Sequence, residues 1–358
     1  MNENSSPAVR PAEQLLIDLI PELPTGKLLA NSLGRAQFAR AYSEAQPTAL
    51  VTCWFLELFH CEESQAALGE VPPANLQVIC ATDFPEEEFD IVALALQKAG
   101  DGELTRELLQ QAHERLKIGG QFVAAIDHPH DSWLHDQLHK LYEKVTRRPL
   151  KTGVVYLATK KTPLKKLKNY RCEMTQSDSG RVLQVLSRPG VFSHREIDVG
   201  AKALIEIMQV EPGNRVLDLG CGSGVVGLVA AARAPGVTVH AIDSNPRAIE
   251  CMQWGAAQNE LTNITATLDC DGRSLTADQF DLVLANPPYY SNFRLAELFV
   301  VIASQTLVLD GYLLVVTKQP QWYIDNLPAH GFREIDVHPV KGYRVITCMK
   351  GEAVPEDE

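Results

Sequence analysis

The chain has 358 residues, enough for two domains, and at 45% hydrophobic and 22% charged it is not an intrinsically disordered chain. A formal net charge of −12 argues against a generic nucleic-acid coat protein, although a net value can conceal a local basic face. The eight cysteines form no C-x-x-C pair and sit among apolar residues, and no stretch has the length of a membrane span or an apolar leader, so a cytoplasmic protein with reduced thiols, no metal site and no membrane association is expected.

The amino-terminal half carries the fainter pattern. FDIVALAL (89–96) reads as a buried strand, 108–120 has helical spacing, and QFVAAIDHP and VVYLATKK (154–161) read as strands. The run TKKTPLKKLKNYRCEM (159–174) then brings together Lys160, Lys161, Lys165, Lys166, Lys168 and Arg171, with Arg147, Arg148 and Lys151 just before it. In an acidic chain such a cluster is either a phosphate-contact patch or a solvated linker.

The carboxyl-terminal half is sharper. Helical spacing over 197–209 precedes a strand at 214–220, a helix at 223–234 and a strand at 237–243. A helix follows at 246–260 with proline in its first turn, then a strand at 264–271. FDLVLANPP is the next strand, 297–311 reads as a helix, 312–318 as a strand, and 338–350 supplies late strand material. Strands alternating with helices predict an α/β fold with a doubly wound, mostly parallel sheet. FDIVALAL echoes FDLVLANP at nearly the same distance from a following glycine, and VVYLATKK echoes YRVITCMK, so the halves read as a duplicated unit. Where the second copy has Asn-Pro-Pro-Tyr, the first has Ala95-Leu96-Gln97-Lys98. The expected domains are 1–165, a degenerate copy with a structural or RNA-binding role, and 166–350, the active copy, followed by an acidic, disordered tail at 351–358.

Chemistry-bearing residues gather at strand ends of the second copy, where ligands bind in such sheets. VLDLGCGSG (216–224) places Gly220, Gly222 and Gly224 in a strand-to-helix turn that lets backbone approach a ligand. Asp218 precedes that turn and either accepts from a ligand ammonium or fixes the turn. Asp243 ends the next strand, where it can accept from ribose hydroxyls. Asp269 and Asp271 lie at the next strand end, where an adenine amino group can be met; Asp271 is the preferred candidate, and Asp269 either shares that role or serves the turn or core. Position 225 is Val and the next glycine is Gly227, so the third glycine of a dinucleotide fingerprint is missing and an NAD oxidoreductase is disfavoured.

DLGCGSG, the acidic end of the second strand and NPPY together resemble a class I S-adenosylmethionine-dependent methyltransferase acting on nitrogen. RPGVFSHREIDVGAKALIEIM (188–208), VLDLGCGSGVVGLVAA, FDLVLANPPYY and KGYRVITCMK are similar to the RsmC/RlmG family of ribosomal RNA guanine-N2 methyltransferases, and NSLGRAQFARAY (31–42) resembles that family's first domain. The resemblance implies two Rossmann-like methyltransferase domains, the first degenerate and the second built on a seven-stranded sheet. It implies S-adenosylmethionine as cofactor and ribosomal RNA or a ribosomal subunit as partner; a monomer is expected. Carried over by position, Phe192, Ser193, Asp198 and Gly200 match the segment that closes over the cofactor, Asp218, Gly220 and Gly222 the turn at its methionine end, and Asp243 the ribose carboxylate. Asn286, Pro287, Pro288 and Tyr289 match the catalytic loop. The family commonly has Phe, often then His, after the two prolines, whereas this chain has Tyr289 and Tyr290.

The implied chemistry is methyl transfer from a sulfonium to an exocyclic amine, which needs aligned acceptors for its N–H groups more than a strong base. The Asn286 side chain and the Pro287 carbonyl can supply two, with Tyr289 stacking on a flipped-out base. Arg294 and Lys318, near the loop, are candidate RNA contacts, and Trp322 and Tyr323 either shape the pocket rim or pack. An adenine-N6 or protein glutamine-N5 methyltransferase and, as a non-enzyme, an RNA-binding scaffold are the competing readings.

Overall fold

The structure, a computed structural model, describes residues 8–288 and 293–352, and the chain divides into two compact units between Tyr170 and Arg171. In chain order the first unit holds α1 (Pro11–Asp18), β1 (Leu28–Asn31), α2 (Gln37–Ala45), β2 (Val51–Phe55), α3 (Leu58–Ala67), β3 (Leu76–Cys80), β4 (Phe89–Leu96), α4 (Gly102–Arg115), β5 (Leu116–Ile126), α5 (Trp133–Leu138), β6 (Val145–Pro149) and β7 (Val154–Thr159). Its sheet runs β3-β2-β1-β4-β5-β7-β6. The first five neighbours are parallel, and β7 pairs antiparallel with both β5 and β6.

The second unit opens with an antiparallel hairpin, β8 (Cys172–Asp178) and β9 (Arg181–Ser187). It continues with α6 (Val199–Ile207), β10 (Arg215–Leu219), α7 (Val225–Arg233), β11 (Thr238–Asp243), α8 (Pro246–Gln258), β12 (Ile264–Leu268), β13 (Phe280–Ala285), α9 (Arg294–Thr306), β14 (Leu307–Thr317), α10 (Pro320–Asn326), β15 (Phe332–Val340) and β16 (Tyr343–Lys350). Its main sheet, β12-β11-β10-β13-β14-β16-β15, repeats the order and the strand directions of the first. Both sheets are covered on two faces, which is why their central strands read as unbroken apolar runs. In β13, Leu282 and Leu284 pack on the face covered by α6 and α7, while Val283 and Ala285 pack on the face covered by α9. That alternation sets Asp218 and Asn286 on the α6 face, because each continues its strand's even-numbered positions.

The repeated Phe-Asp has a structural cause. The Asp90 carboxylate accepts the backbone N–H of Lys27 at 2.8 Å, and Asp281 accepts that of Arg215 at 2.8 Å, so each aspartate ties the start of its unit's central strand to the neighbouring strand. On the opposite side of each of these strands the pairing shifts register at the same aspartate, between Phe89 and Ile91 where β4 meets β5 and between Phe280 and Leu282 where β13 meets β14. The helices expected over 108–120 and 297–311 end earlier, at Arg115 and Thr306. The apolar Leu-Lys-Ile and Leu-Val-Leu that seem to extend them are strand leads, with Leu116 pairing with Phe89 and Leu307 with Phe280. Gly120 and Gly311 follow where a Cβ would lie 2.9 Å from the carbonyls of Lys117 and Val308. Among the described residues no helix is long and apolar enough to cross a membrane, and there is no disulfide and no group of three or more His, Cys, Asp or Glu that could hold a metal.

The turn after β1 takes its ligand from its own chain. Glu13, fully buried on α1, accepts from the Ser32 hydroxyl, from the N–H groups of Leu33 at 2.6 Å and Gly34 at 2.9 Å, and from that of Phe38 at 3.3 Å. Ala201 holds the matching place, third residue of the helix before the first sheet strand, in the second unit. Replacing Glu13 with Ala strands several buried donors, each costing about 1–3 kcal/mol. Denaturant unfolding followed through Trp54 should therefore lose about 3 kcal/mol in Glu13→Ala and less in Glu13→Gln, and an unchanged midpoint would contradict this role.

Candidate active site

The cleft of the second unit begins at the turn after β10. Gly222 and Gly224 lie in the left-handed region, at φ 55° and 81°. A Cβ on Gly224 would sit 2.6 Å from Met252 Sδ, so this residue lets α7 approach α8. A Cβ on Gly222 would meet no atom within 4 Å, so here the missing side chain leaves open space on the cleft wall. The Gly222 N–H donates to Asp243 Oδ2 at 2.8 Å, and the other carboxylate oxygen of Asp243 accepts the Asn245 N–H at 2.9 Å. Asp243 thus spans from β11 to the glycine turn.

Asp218 lines the same cleft, only 4% exposed, and accepts the Gly227 N–H at 2.8 Å. Burial pushes its carboxyl up to about 7, opposed by the Gly227 N–H and reinforced by the neighbouring Asp243 charge. Burial also raises Asp243, against the N–H groups of Gly222, Asn245 and Ser244.

Across the cleft the Asp198 carboxylate makes two bonds through Oδ2. It caps α6 by accepting the Ala201 N–H at 2.9 Å, and it accepts the Asn286 Nδ2–H at 2.9 Å. A carboxylate only accepts, so the NH2 of the Asn286 amide must face Asp198 and its Oδ1 must point the other way. Gly200 makes room for this pair, since a Cβ there would lie 2.7 Å from Asp198 Oδ2 and 3.2 Å from Asn286 Oδ1. Phe192, Ser193, Asp198, Asp218 and Asn286 line one cleft with the turn of Gly220 and Gly222.

The segment bearing Phe192 is pinned from beneath by residues that the sequence reading did not single out. Fully buried Arg247 donates to the Pro189 carbonyl at 2.7 Å, Asn245 Nδ2 to that of Gly190 at 2.9 Å, and Arg188 pairs with Glu250 at 2.5 Å. Phe192 itself stays 55% exposed above the cleft. The signal for this anchor was the Asn245-Pro246 start of α8, a cap with proline at the first helical position. Cys221, Ser223, Val225 and Val226 also line the cleft and were passed over as turn and helix residues.

Other expected site residues lie elsewhere. The Asp271 carboxylate is exposed and paired with Arg273 at 2.6 Å, outside the cleft lining. Burial raises Asp269, but hydrogen bonds from Ser274 and from the N–H groups of Asp271, Ser274 and Gly272 outweigh it and hold the carboxylate below its usual range, so it organises the turn. The basic run is not one patch. Lys160 is buried and donates to the carbonyls of Glu114 at 3.2 Å and Leu116 at 2.6 Å. Lys161 pairs with Glu143 at 3.5 Å, Arg171 pairs with Glu250, and Lys168 lies over the Tyr170 ring at 4.7 Å. Lys165 and Lys166 are exposed, as is Arg294 in the first turn of α9. Lys318 is exposed over the ring of Tyr343. Trp322 stacks on Phe293 at 5.1 Å, and Tyr323 is buried in the core beneath. Pro287 and Pro288 follow Asn286 at the strand end, whereas Tyr289, Tyr290 and the tail from 353 onward lie outside the described residues.

A doubly wound sheet with a glycine turn, an acidic strand end and a clamped Asn-Pro-Pro defines a Rossmann-like methyltransferase. A model of the methyltransferase small domain matches residues 182–347. Ribosomal RNA small subunit methyltransferase C of Vibrio vulnificus is 36% identical over 143 residues, 39% of this chain and 41% of that protein's length. The protein of the same name from Shewanella piezotolerans is 28% identical over 287 residues, covering 77% of this chain and 82% of that one. The uncharacterized protein YbxB of Bacillus subtilis is 33% identical over 172 residues, 46% of this chain and 84% of that one. A solved T. thermophilus 16S rRNA N2 methyltransferase (RsmC), in complex with AdoMet and guanosine, shares the fold over 96% of this chain and 94% of its own, with a TM-score of 0.78 at 21% identity. The chain thus carries a methyltransferase small domain and is similar over most of its length to ribosomal RNA small subunit methyltransferases C.

Asp218 binds its proton more tightly in the folded chain, at about 7, than at its ordinary 3.8. Between those values the folded state holds more protons than the unfolded one, so stability falls as pH rises through that window, by an amount on the order of 4 kcal/mol. Asp218→Asn removes this penalty. Its melting temperature should exceed the native one at pH 8 and match it near pH 4; equal differences at both would contradict the assignment.

Proposed function

We propose that this chain transfers a methyl group from S-adenosylmethionine to the exocyclic N2 amine of a guanine in ribosomal RNA. The observation that carries the reading is the bond from Asn286 Nδ2 to Asp198 Oδ2, because it leaves the amide oxygen as an acceptor of fixed direction in the cleft. The cofactor, when bound, supplies an electrophilic methyl group on a sulfonium sulfur. The residues present fit it. The open wall at Gly222 takes close backbone contact and ionised Asp218 answers a ligand ammonium, while Asp243, which accepts the Gly222 N–H just behind the cleft lining, is the acceptor this reading assigns to the ribose hydroxyls. Phe192, exposed above the cleft, covers the apolar part of the ligand.

The acceptor amine is a poor nucleophile, because its lone pair is delocalised into the base. Asn286 Oδ1 accepts one of its N–H groups and the Pro287 carbonyl accepts the other, which turns the nitrogen lone pair toward the methyl donor. Asp198 holds the amide in that orientation in advance, so no reorganisation is needed as charge shifts. Once methylated the nitrogen is acidic, and its proton leaves to water. The base must reach the cleft unpaired or flipped out. Exposed Lys165 and Lys166, with Arg294, are the phosphate contacts favoured by this reading, and the first unit serves as scaffold or RNA-binding partner.

Three measurements test this. Labelled methyl from the cofactor, offered with total RNA and with protein extract, should enter ribosomal RNA as N2-methylguanosine, and label in protein would favour the glutamine reading instead. Asn286→Ala should lower kcat about 100-fold or more while cofactor affinity changes only a few-fold; full activity would sink the alignment mechanism. Replacing Lys165 and Lys166 together with Glu should weaken RNA binding and flatten its dependence on salt, and unchanged binding would return that run to a linker.

A further inference from the structure

The sheet edge beyond Asn286 carries a second polar feature. Asn286 follows the last residue of β13, Lys318 follows the last residue of the adjacent β14, and Tyr343 begins β16, the next strand over. Pairing of Thr317 with Arg344 brings Lys318 and Tyr343 side by side, and the Lys318 Nζ lies 4.7 Å from the centroid of the Tyr343 ring. The ring reaches toward the active-site pair. A Cβ on Gly200 would lie 3.3 Å from Tyr343 Cε1 and 3.2 Å from Asn286 Oδ1, so the ring edge and the amide oxygen flank the same point. Adjacent strands are about 4.8 Å apart, the scale of the Watson–Crick edge of one base. Among the described residues no carboxylate is paired with Lys318, so its charge is answered only by the face of the ring.

On that edge of guanine the N2 amine and the O6 acceptor flank N1. A base that presents N2 to Asn286 therefore presents an acceptor one strand away, on the β14 side. We propose that Lys318, steadied on the Tyr343 ring, is a specificity-determining residue that donates to O6 of the target guanine. An amine at that position would instead meet the ammonium donor to donor, which rejects adenine-like bases. The proposal rests on the guanine-N2 reading of the site and adds to it the group that tells guanine from other bases bearing an exocyclic amine. Tyr343 acts through Lys318 as a positioning residue.

The test uses the full chain and ribosomal RNA from cells lacking this protein. Guanosine and 2,6-diaminopurine riboside compete as inhibitors of transfer; the second keeps the 2-amine but replaces O6 with an amine. The native protein should favour guanosine about tenfold. Lys318→Met should bring that ratio near one, Lys318→Arg should keep most of it, and Tyr343→Leu should lower it while Tyr343→Phe preserves it. Transfer to ribosomal RNA with an unchanged ratio in Lys318→Met overturns this inference alone, including the case in which that variant only loses salt-dependent RNA affinity. Absence of transfer by the native protein overturns the underlying reading and this one with it.

Discussion

One carboxylate organises the carboxyl-terminal unit's chemistry. Asp198 closes the first turn of α6 and at the same time holds the amide of Asn286, so a helix cap and an orienting bond share a single oxygen. The two demands reinforce each other. The cap fixes the carboxylate, the carboxylate fixes which end of the amide faces the cleft, and Gly200 supplies the space that any side chain would close. The two prolines after Asn286 stop the strand there, so the residue stands at a sheet edge and not in a ladder.

The amino-terminal unit shows what the same fold looks like without that demand. Its sheet has the same strand order, and its Asp90 repeats the tie that Asp281 makes. At the place of Asn286 stands Ala95, whose N–H and carbonyl are both bound by the Asn31 side chain, at 2.8 and 3.0 Å. At the place of Ala201 stands Glu13, whose carboxylate fills the turn that the second unit leaves open. The first copy meets its backbone donors from within, which makes for a closed, self-satisfied domain. The second keeps its turn open to a ligand and accepts the burial of Asp218 in return.

Much of this was legible in the sequence, for physical reasons that can be named. The apolar runs of a parallel sheet, the glycines at φ values that other residues avoid, and Asn-Pro-Pro at a strand end all follow from local constraints. The echo between FDIVALAL and FDLVLANP was legible because one aspartate does the same work twice. What stayed hidden depends on partners distant in sequence. Lys160 looked like a phosphate contact until the carbonyls of Glu114 and Leu116 were seen to hold it, and Asp271 looked free to meet a base until Arg273 was found beside it. The helix ends near Leu116 and Leu307 were hidden because a short apolar lead into a strand has helical spacing too. The anchoring of the Phe192 segment by Arg247 was invisible because an arginine in a helix reads as surface.

The central claim is that Asp198 acts on catalysis through Asn286, and a double-mutant cycle on kcat tests it most directly. Asp198→Ala alone should slow transfer severely. In the Asn286→Ala background the same change should add almost nothing, because the amide it orients is already gone. Effects that multiply, each substitution costing as much in the presence of the other as alone, would show that the two residues act independently and would contradict the account.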